Sequence, residues 1–258
     1  MSLFVFDVDG TLIDEATDAH APELVTHLQA LKASGHRIAL ITGRLGLPRA
    51  LLNLIEPDAR ALGNGHRIVL GENQVRTHIL TSAEVEAVLA LMPDGLEVVG
   101  SALTDRPLAF VQDVDAPVWE EWRQAGQLRS LEEMTGHNIL QLQFRGKAVP
   151  LLKSRIRETL PHLNASGAME PYLEFLTVTA QQANKGHALK EISALLDIPL
   201  EDVVAFGDSE NDLEMLRLAG HSVQVGHVSC LKDICKEQVS CPLVGVPQWL
   251  GRYLEGRP

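Results

Sequence analysis

An apolar run that ends abruptly on acidic residues constrains this chain more than any other feature. Leu3 to Phe6 is uninterrupted hydrophobic sequence, and Asp7-Val8-Asp9-Gly10-Thr11 follows at once. A short continuous apolar run suits a strand buried on both faces, as in parallel sheets covered by helices. The polar residues after it then project from the carboxyl edge of the sheet, where open α/β folds place their ligands. Two later runs repeat the pattern: Arg37 to Ile41 ends at Thr42-Gly43-Arg44, and Val203 to Phe206 ends at Gly207-Asp208-Ser209-Glu210-Asn211-Asp212. Helical periodicity lies between them. Pro22 suits a first helical position, Leu24, Leu28 and Leu31 share one face, and Gly35 can close the helix; Pro48 starts another through Ile55, and Ala188, Leu189, Ile192, Leu195 and Leu196 mark a third. Alternating strands and helices predict an α/β fold with a doubly wound parallel sheet.

The rhythm changes after Gly63-Asn64-Gly65. Arg67 to Leu70 and Gln74 to Leu80 read as a hairpin turning at Gly71, and Ser82 reads as the cap of a helix that reaches about Met92 and stops at Pro93. Strands are expected at Leu96 to Val99, Leu108 to Val111, Asn138 to Phe144 and Tyr172 to Val178, with a helix from Val149 to Leu160. This stretch reads as an α+β module of its own. The expectation is a core built from residues 1–80 and 181–258, with residues 81–180 inserted as a second domain.

Two aspartates one residue apart can divide the work of phosphoryl transfer. Asp7 attacks phosphorus, while Asp9 protonates the leaving oxygen and later activates water. An ordinary polar loop is the alternative for this string alone. Asp208 and Asp212 add more carboxylates to the same sheet edge, and so much negative charge calls for a cation. Oxygen ligands from Asp7, the Asp9 backbone carbonyl and Asp208 suit octahedral Mg²⁺. Asp212 reads as an auxiliary metal ligand or as a plain charge at a helix N-terminus, and Asn211 as a water, metal or substrate contact. The Thr42 hydroxyl, the Gly43 amide and Lys185 at the start of a helix offer donors and a fixed positive charge to a phosphate. Arg44, Asn64, His66 and His227 are candidate substrate contacts, with a structural ion pair the other reading of Arg44 and incidental loop histidines the other reading of His66 and His227.

With these residues in view, the chain resembles the haloacid dehalogenase superfamily phosphatases, in particular the Cof-like type with a large α/β cap (C2B, subfamily IIB). The resemblance rests on DVDGT at Asp7 to Thr11, ITGR at Ile41 to Arg44, NKG at Asn184 to Gly186 and GDSENDLEM at Gly207 to Met215. It implies a Rossmann-like core and an inserted cap that sets substrate specificity. It also implies Asp7 as nucleophile, Asp9 as acid/base, Thr42 and Lys185 as phosphate binders, and a magnesium site at Asp7, Asp9 and Asp208. The expected activity is hydrolysis of a small phosphomonoester, such as a sugar phosphate, through an aspartyl-phosphate on Asp7. A phosphosugar mutase and a non-catalytic phosphometabolite-binding regulator are the rival readings. His66, where the family has a small residue, and Ser222 to His227 depart from the pattern at the expected rim of the cleft.

Charge and cysteine usage narrow the setting. A formal net charge of -12 disfavours nucleic acid and anionic membranes as partners. The N-terminus lacks the basic start of a signal peptide, so a cytoplasmic protein is expected, as monomer or homodimer. Cys230, Cys235 and Cys241 do not form a disulfide framework or a zinc pattern and read as buried, reduced structural thiols.

Overall fold

β1 (Leu3–Phe6) is buried along its whole length, and its side chains split between two hydrophobic cores. Phe4 and Phe6 join Leu24, Leu28, Leu31, Phe206, Trp249 and Leu250 on one face; Leu3 and Val5 join Ala39, Ile41, Leu189, Ile192 and Met215 on the other. That period-2 division, with apolar residues at every position, is what a strand covered on both faces requires. The computed structural model describes residues 1–103, 107–169 and 172–256, in two units: residues 1–77 with 184–258, and residues 78–183.

The first unit begins β1, α1 (Pro22–Ala33), β2 (Arg37–Ile41), α2 (Arg49–Ile55), β3 (Ala59–Leu62), β4 (Arg67–Leu70) and β5 (Asn73–Thr77). β3 did not stand out in the sequence, because its four residues, ARAL, contain a charge and no β-branched side chain. The hairpin's second strand ends at Thr77, short of the expected Leu80.

The second unit holds α3 (Ser82–Ala90), β6 (Glu97–Leu103), β7 (Pro107–Val111), α4 (Glu120–Gln124), β8 (Leu128–Ser130), β9 (Ile139–Arg145), α5 (Val149–Thr159), β10 (Asn164–Met169) and β11 (Tyr172–Thr179). Its sheet runs β10-β11-β9-β6-β7-β8, antiparallel except for β7 beside β8. Val85 and Val88 of α3 and Leu152 and Ile156 of α5 pack with Val98, Leu142, Phe144, Leu176 and Val178 of the sheet. The cap of α3 is Thr81 rather than Ser82. The Thr81 hydroxyl accepts from Glu84 N at 3.2 Å, and Glu84 Oε2 accepts from Thr81 N at 2.8 Å, a reciprocal capping box.

The chain then returns to the first unit through α6 (Lys185–Leu196), β12 (Val203–Gly207), α7 (Leu213–Leu218), β13 (His221–Val225), β14 (Glu237–Val239) and α8 (Gly245–Leu254). Sheet order is β14-β13-β12-β1-β2-β3-β4-β5, parallel from β14 to β3, with β4 and β5 antiparallel at one end. The α/β expectation with a parallel core sheet therefore holds. After β1 the chain builds outward one way through β2 and β3; after the second unit it builds the other way from β12. β1 and β12 thus form the switch point of the sheet, where the loops that follow diverge and leave a crevice. Among the described residues no helix is long and apolar enough to cross a membrane.

Candidate active site

Three adjacent parallel strands end within one residue of one another. Phe6 is in register with Phe206 of β12 and with Leu40 of β2, so Asp7 follows level with Gly207 and Ile41, and Asp208 and Thr42 come one residue further on at the same edge. The β1 loop reaches Asp208 closely: Gly10 has φ 72, and a Cβ there would lie 2.4 Å from Asp208 Oδ2. Glycine is needed at this position for both reasons. Thr11, fully buried, donates from its hydroxyl to Asp208 Oδ1 at 2.9 Å, a link between distant motifs that the sequence does not reveal.

Lys185 lies at the centre of the charge. Its Nζ is 2.8 Å from Asp7 Oδ1 and 2.6 Å from Asp212 Oδ1, and the residue is 1% exposed. It stands at the first turn of α6, which is capped by the Asn184 side chain accepting from His187 N at 2.7 Å. Asp212 anchors the loop after β12 as well: its Oδ2 accepts from Asp208 N at 3.1 Å and Ser209 N at 3.0 Å. Gly207 allows that turn, since a Cβ on it would lie 2.5 Å from Asp212 Cβ.

Burial dominates the titration of these groups. It raises the Asp7 carboxyl well above the usual range, with Asp212 and Asp208 adding to the effect and Lys185 opposing it. Asp208 is pushed up to about 7, again first by burial and then by Asp212. For Lys185, burial works against the ammonium, but Asp212 and Asp7 overcome it and hold the group above the ordinary lysine value.

The remaining candidates form a second set of contacts. Arg44 Nε lies 3.0 and 2.9 Å from the two Asp9 oxygens, and Arg44 Nη2 lies 2.7 Å from Asp18 Oδ1. Of the two sequence readings of Arg44, the ion pair is the one seen here, and Asp18 is a partner that no motif flagged. The Thr42 hydroxyl accepts from Arg44 N at 3.1 Å, which leaves its own hydrogen for another acceptor. Asn64 N donates to Thr42 O at 2.8 Å and Gly63 N to Arg44 O at 2.8 Å, tying the loops after β2 and β3 together. Asn211 Nδ2 donates to Asn64 Oδ1 at 3.2 Å, and Asn211 Oδ1 accepts from Ser209 Oγ at 2.7 Å. Asn64 and Asn211 thus bind each other across two loops, close beside Gly43, whose Cβ would lie 3.4 Å from Asn64 Oδ1.

Two expectations need correction. His66 is not at a rim: it is 1% exposed, its Nδ1 is 3.1 Å from Leu62 O, and its ring fills the space that a side chain on Gly63 would need. The three cysteines are free, as expected, but half-exposed rather than buried, with Cys230 and Cys235 packed at the margin of the core between α6, α7 and the sheet.

The carboxylates have the chemistry of a divalent cation site. Asp7, Asp208 and Asp212 each offer an oxygen, and these lie within 4.8 Å of one another. One ammonium faces three carboxylates, so with all three ionised the cluster would carry an excess of two negative charges largely out of water, which a hard divalent cation with oxygen ligands would offset.

Comparison with known proteins gives the family and the fold. The family model of the haloacid dehalogenase-like hydrolases matches residues 4–110 and 120–239. An HMP-PP phosphatase of Cronobacter sakazakii is 30% identical over 252 residues, covering 94% of this chain and 90% of that protein. One from an Enterobacter species is 28% identical with the same coverage. Among solved structures, a sugar phosphatase of haloacid dehalogenase subclass IIB superposes with a TM-score of 0.81 at 22% identity, covering 98% of this chain and 99% of that one. A haloacid dehalogenase-like hydrolase from B. subtilis superposes at 0.80 with 19% identity, covering 97% and 99%.

Proposed function

Because this chain belongs to the haloacid dehalogenase-like hydrolases, as a phosphatase of that family, we propose that it hydrolyses a small phosphomonoester with magnesium, through an aspartyl-phosphate on Asp7. The observation that carries this reading is Lys185 Nζ lying 2.8 Å from Asp7 and 2.6 Å from Asp212 at the sheet edge that also carries Asp208. Lys185 fixes Oδ1 of Asp7 and leaves Oδ2 to attack phosphorus. As the Asp7–phosphorus bond forms and the ester bond breaks, the Asp9 carboxyl gives its proton to the leaving oxygen. Water then attacks phosphorus, Asp9 takes the proton, and the bond to Asp7 breaks to release phosphate. Thr42, with its hydroxyl hydrogen available, and the Gly43 amide hold phosphoryl oxygens, while Lys185 balances charge developing on them.

Asp7, Asp208 and the Asp9 backbone carbonyl would hold the magnesium. Both Asp212 oxygens are already engaged, so its part is to hold Lys185 and the β12 loop. When bound, the metal would offset the surplus negative charge and shield the attacking carboxylate from the phosphate dianion.

The substrate class is a small phosphorylated metabolite, in keeping with the HMP-PP phosphatases and the sugar phosphatase named above. Residues 78–183 supply its selectivity, and the half-exposed free thiols suit the reducing cytoplasm. A panel of phosphometabolites, ranked by kcat/KM with and without magnesium, tests the reading. Phosphate release that stops on chelation and returns with magnesium supports it. Conversion of a hexose phosphate to an isomer without phosphate release would show a mutase, and turnover of nothing on the panel, para-nitrophenyl phosphate included, would show a non-catalytic binder.

A further inference from the structure

Arg44 has two acidic partners. Its Nε donates to Asp9 Oδ1 at 3.0 Å and Oδ2 at 2.9 Å, and its Nη2 donates to Asp9 Oδ1 at 2.5 Å and to Asp18 Oδ1 at 2.7 Å. Asp18 is held for this contact by a closed turn. Asp18 N donates to Asp14 O at 2.9 Å, Asp14 N donates to Ala19 O at 2.8 Å, and the Thr17 hydroxyl donates to Asp14 Oδ1 at 2.7 Å. Asp18 has φ 53, a left-handed conformation that aspartate tolerates better than most residues.

In this arrangement Asp9 is poorly placed to move a proton. A general acid must carry hydrogen on an oxygen aimed at the leaving group, and a general base must offer an oxygen to water. Both Asp9 oxygens instead accept from a guanidinium that does not give up its own protons. The pair must open before either half-reaction, at the cost of several charge-assisted hydrogen bonds unless another anion takes Asp9's place. Arg44 is within reach of one, its side chain being 29% exposed. The phosphoryl group being transferred is committed to Asp7, Thr42 and Lys185, so the displacing anion has to be a different part of the substrate.

We propose that Arg44 is a specificity-determining residue that takes a second anionic group of the substrate, a carboxylate or a further phosphate, and that this exchange releases Asp9 for proton transfer. The proposal rests on Asp7 and Asp9 having the roles given above. A substrate with the second anion both binds better and frees the acid/base. A substrate without it leaves Asp9 in the ion pair and turns over slowly.

The test uses para-nitrophenyl phosphate and its ring-carboxylated analogue, 2-carboxy-4-nitrophenyl phosphate, on the full chain and its Arg44→Gln variant. In the unaltered protein kcat/KM should favour the carboxylated ester. Arg44→Gln should lower that preference by about tenfold or more, the worth of a lost charged bidentate contact. Its kcat on the plain ester should rise, because Asp9 is no longer held. An unchanged preference, or an equal fall on both esters, overturns the proposal. Arg44→Lys, which keeps the charge but cannot span both Asp9 oxygens, should shift the same ratio in the same direction, so the question remains decidable if Arg44→Gln fails to fold. Asp7→Asn, assayed in parallel, separates the two claims: turnover surviving there would count against the Asp7 reading rather than against Arg44.

Discussion

The two units bury polar side chains for different ends. In the unit that carries Asp7, the buried polar set includes the charges of Asp7, Lys185 and Asp212, which face one another at one sheet edge, and the hydroxyls of Thr11 and Thr42. In residues 78–183 the buried polar residues include Ser101, Gln141, Thr177 and Thr179, neutral groups within a sheet, and Lys153, whose ammonium donates to the Gly167 carbonyl. Burying charges that repel costs stability, and a fold keeps such groups where chemistry needs them. On the proposed reading, the chemical step belongs to the first unit and selection of the substrate to the second.

Changes at the charged edge should break the contrast most sharply. Asp7→Asn removes the nucleophile while keeping its shape, so phosphate release should fall by at least about 10³-fold with the unfolding midpoint little changed; activity assays beside a thermal melt check both. Lys185→Met strands three neighbouring carboxylates without their ammonium. We expect loss of turnover together with about 3–5 kcal/mol of stability, measured by urea denaturation.

Changes in the core and at the helix cap of the second unit should act on stability and leave turnover of a simple ester intact. Leu142→Ala empties a fully buried position among Val98, Phe144, Leu176 and Val178 and should cost about 2–5 kcal/mol. The folded protein should still turn over para-nitrophenyl phosphate. Thr81→Ala removes the capping box of α3 and should cost about 1 kcal/mol, read as a small shift in the same denaturation curve with no change in kcat. A large fall in kcat on that simple ester from either variant would mean that chemistry is shared between the units.

The same contrast explains what could be read in the sequence. β1, β2 and β12 were legible because strands buried on both faces are nearly continuous apolar runs, and the residues after them, Asp7, Thr42 and Asp208, were placed by that alone. β3 was not, since Arg60 interrupts a four-residue strand. β10, NASGAM, lacks the β-branched and aromatic residues that mark strands, and its partner β11 supplies the pattern instead. The Asp18–Arg44 contact spans 26 positions and depends on the turn at residues 14–18, which no spacing rule anticipates. His66 shows the same limit: its burial follows from the missing side chain of Gly63, a fit visible only in three dimensions.

The phosphate acceptor is the central claim, and trapping it is the most direct measurement. Asp9→Asn should slow hydrolysis of the aspartyl-phosphate, so acid quenching during turnover of an activated aryl ester, followed by peptide mass analysis, should find one phosphoryl group on the peptide that contains Asp7. Phosphate attached to any other residue, or steady turnover in Asp9→Asn with no phosphorylated peptide at any time point, would contradict the account.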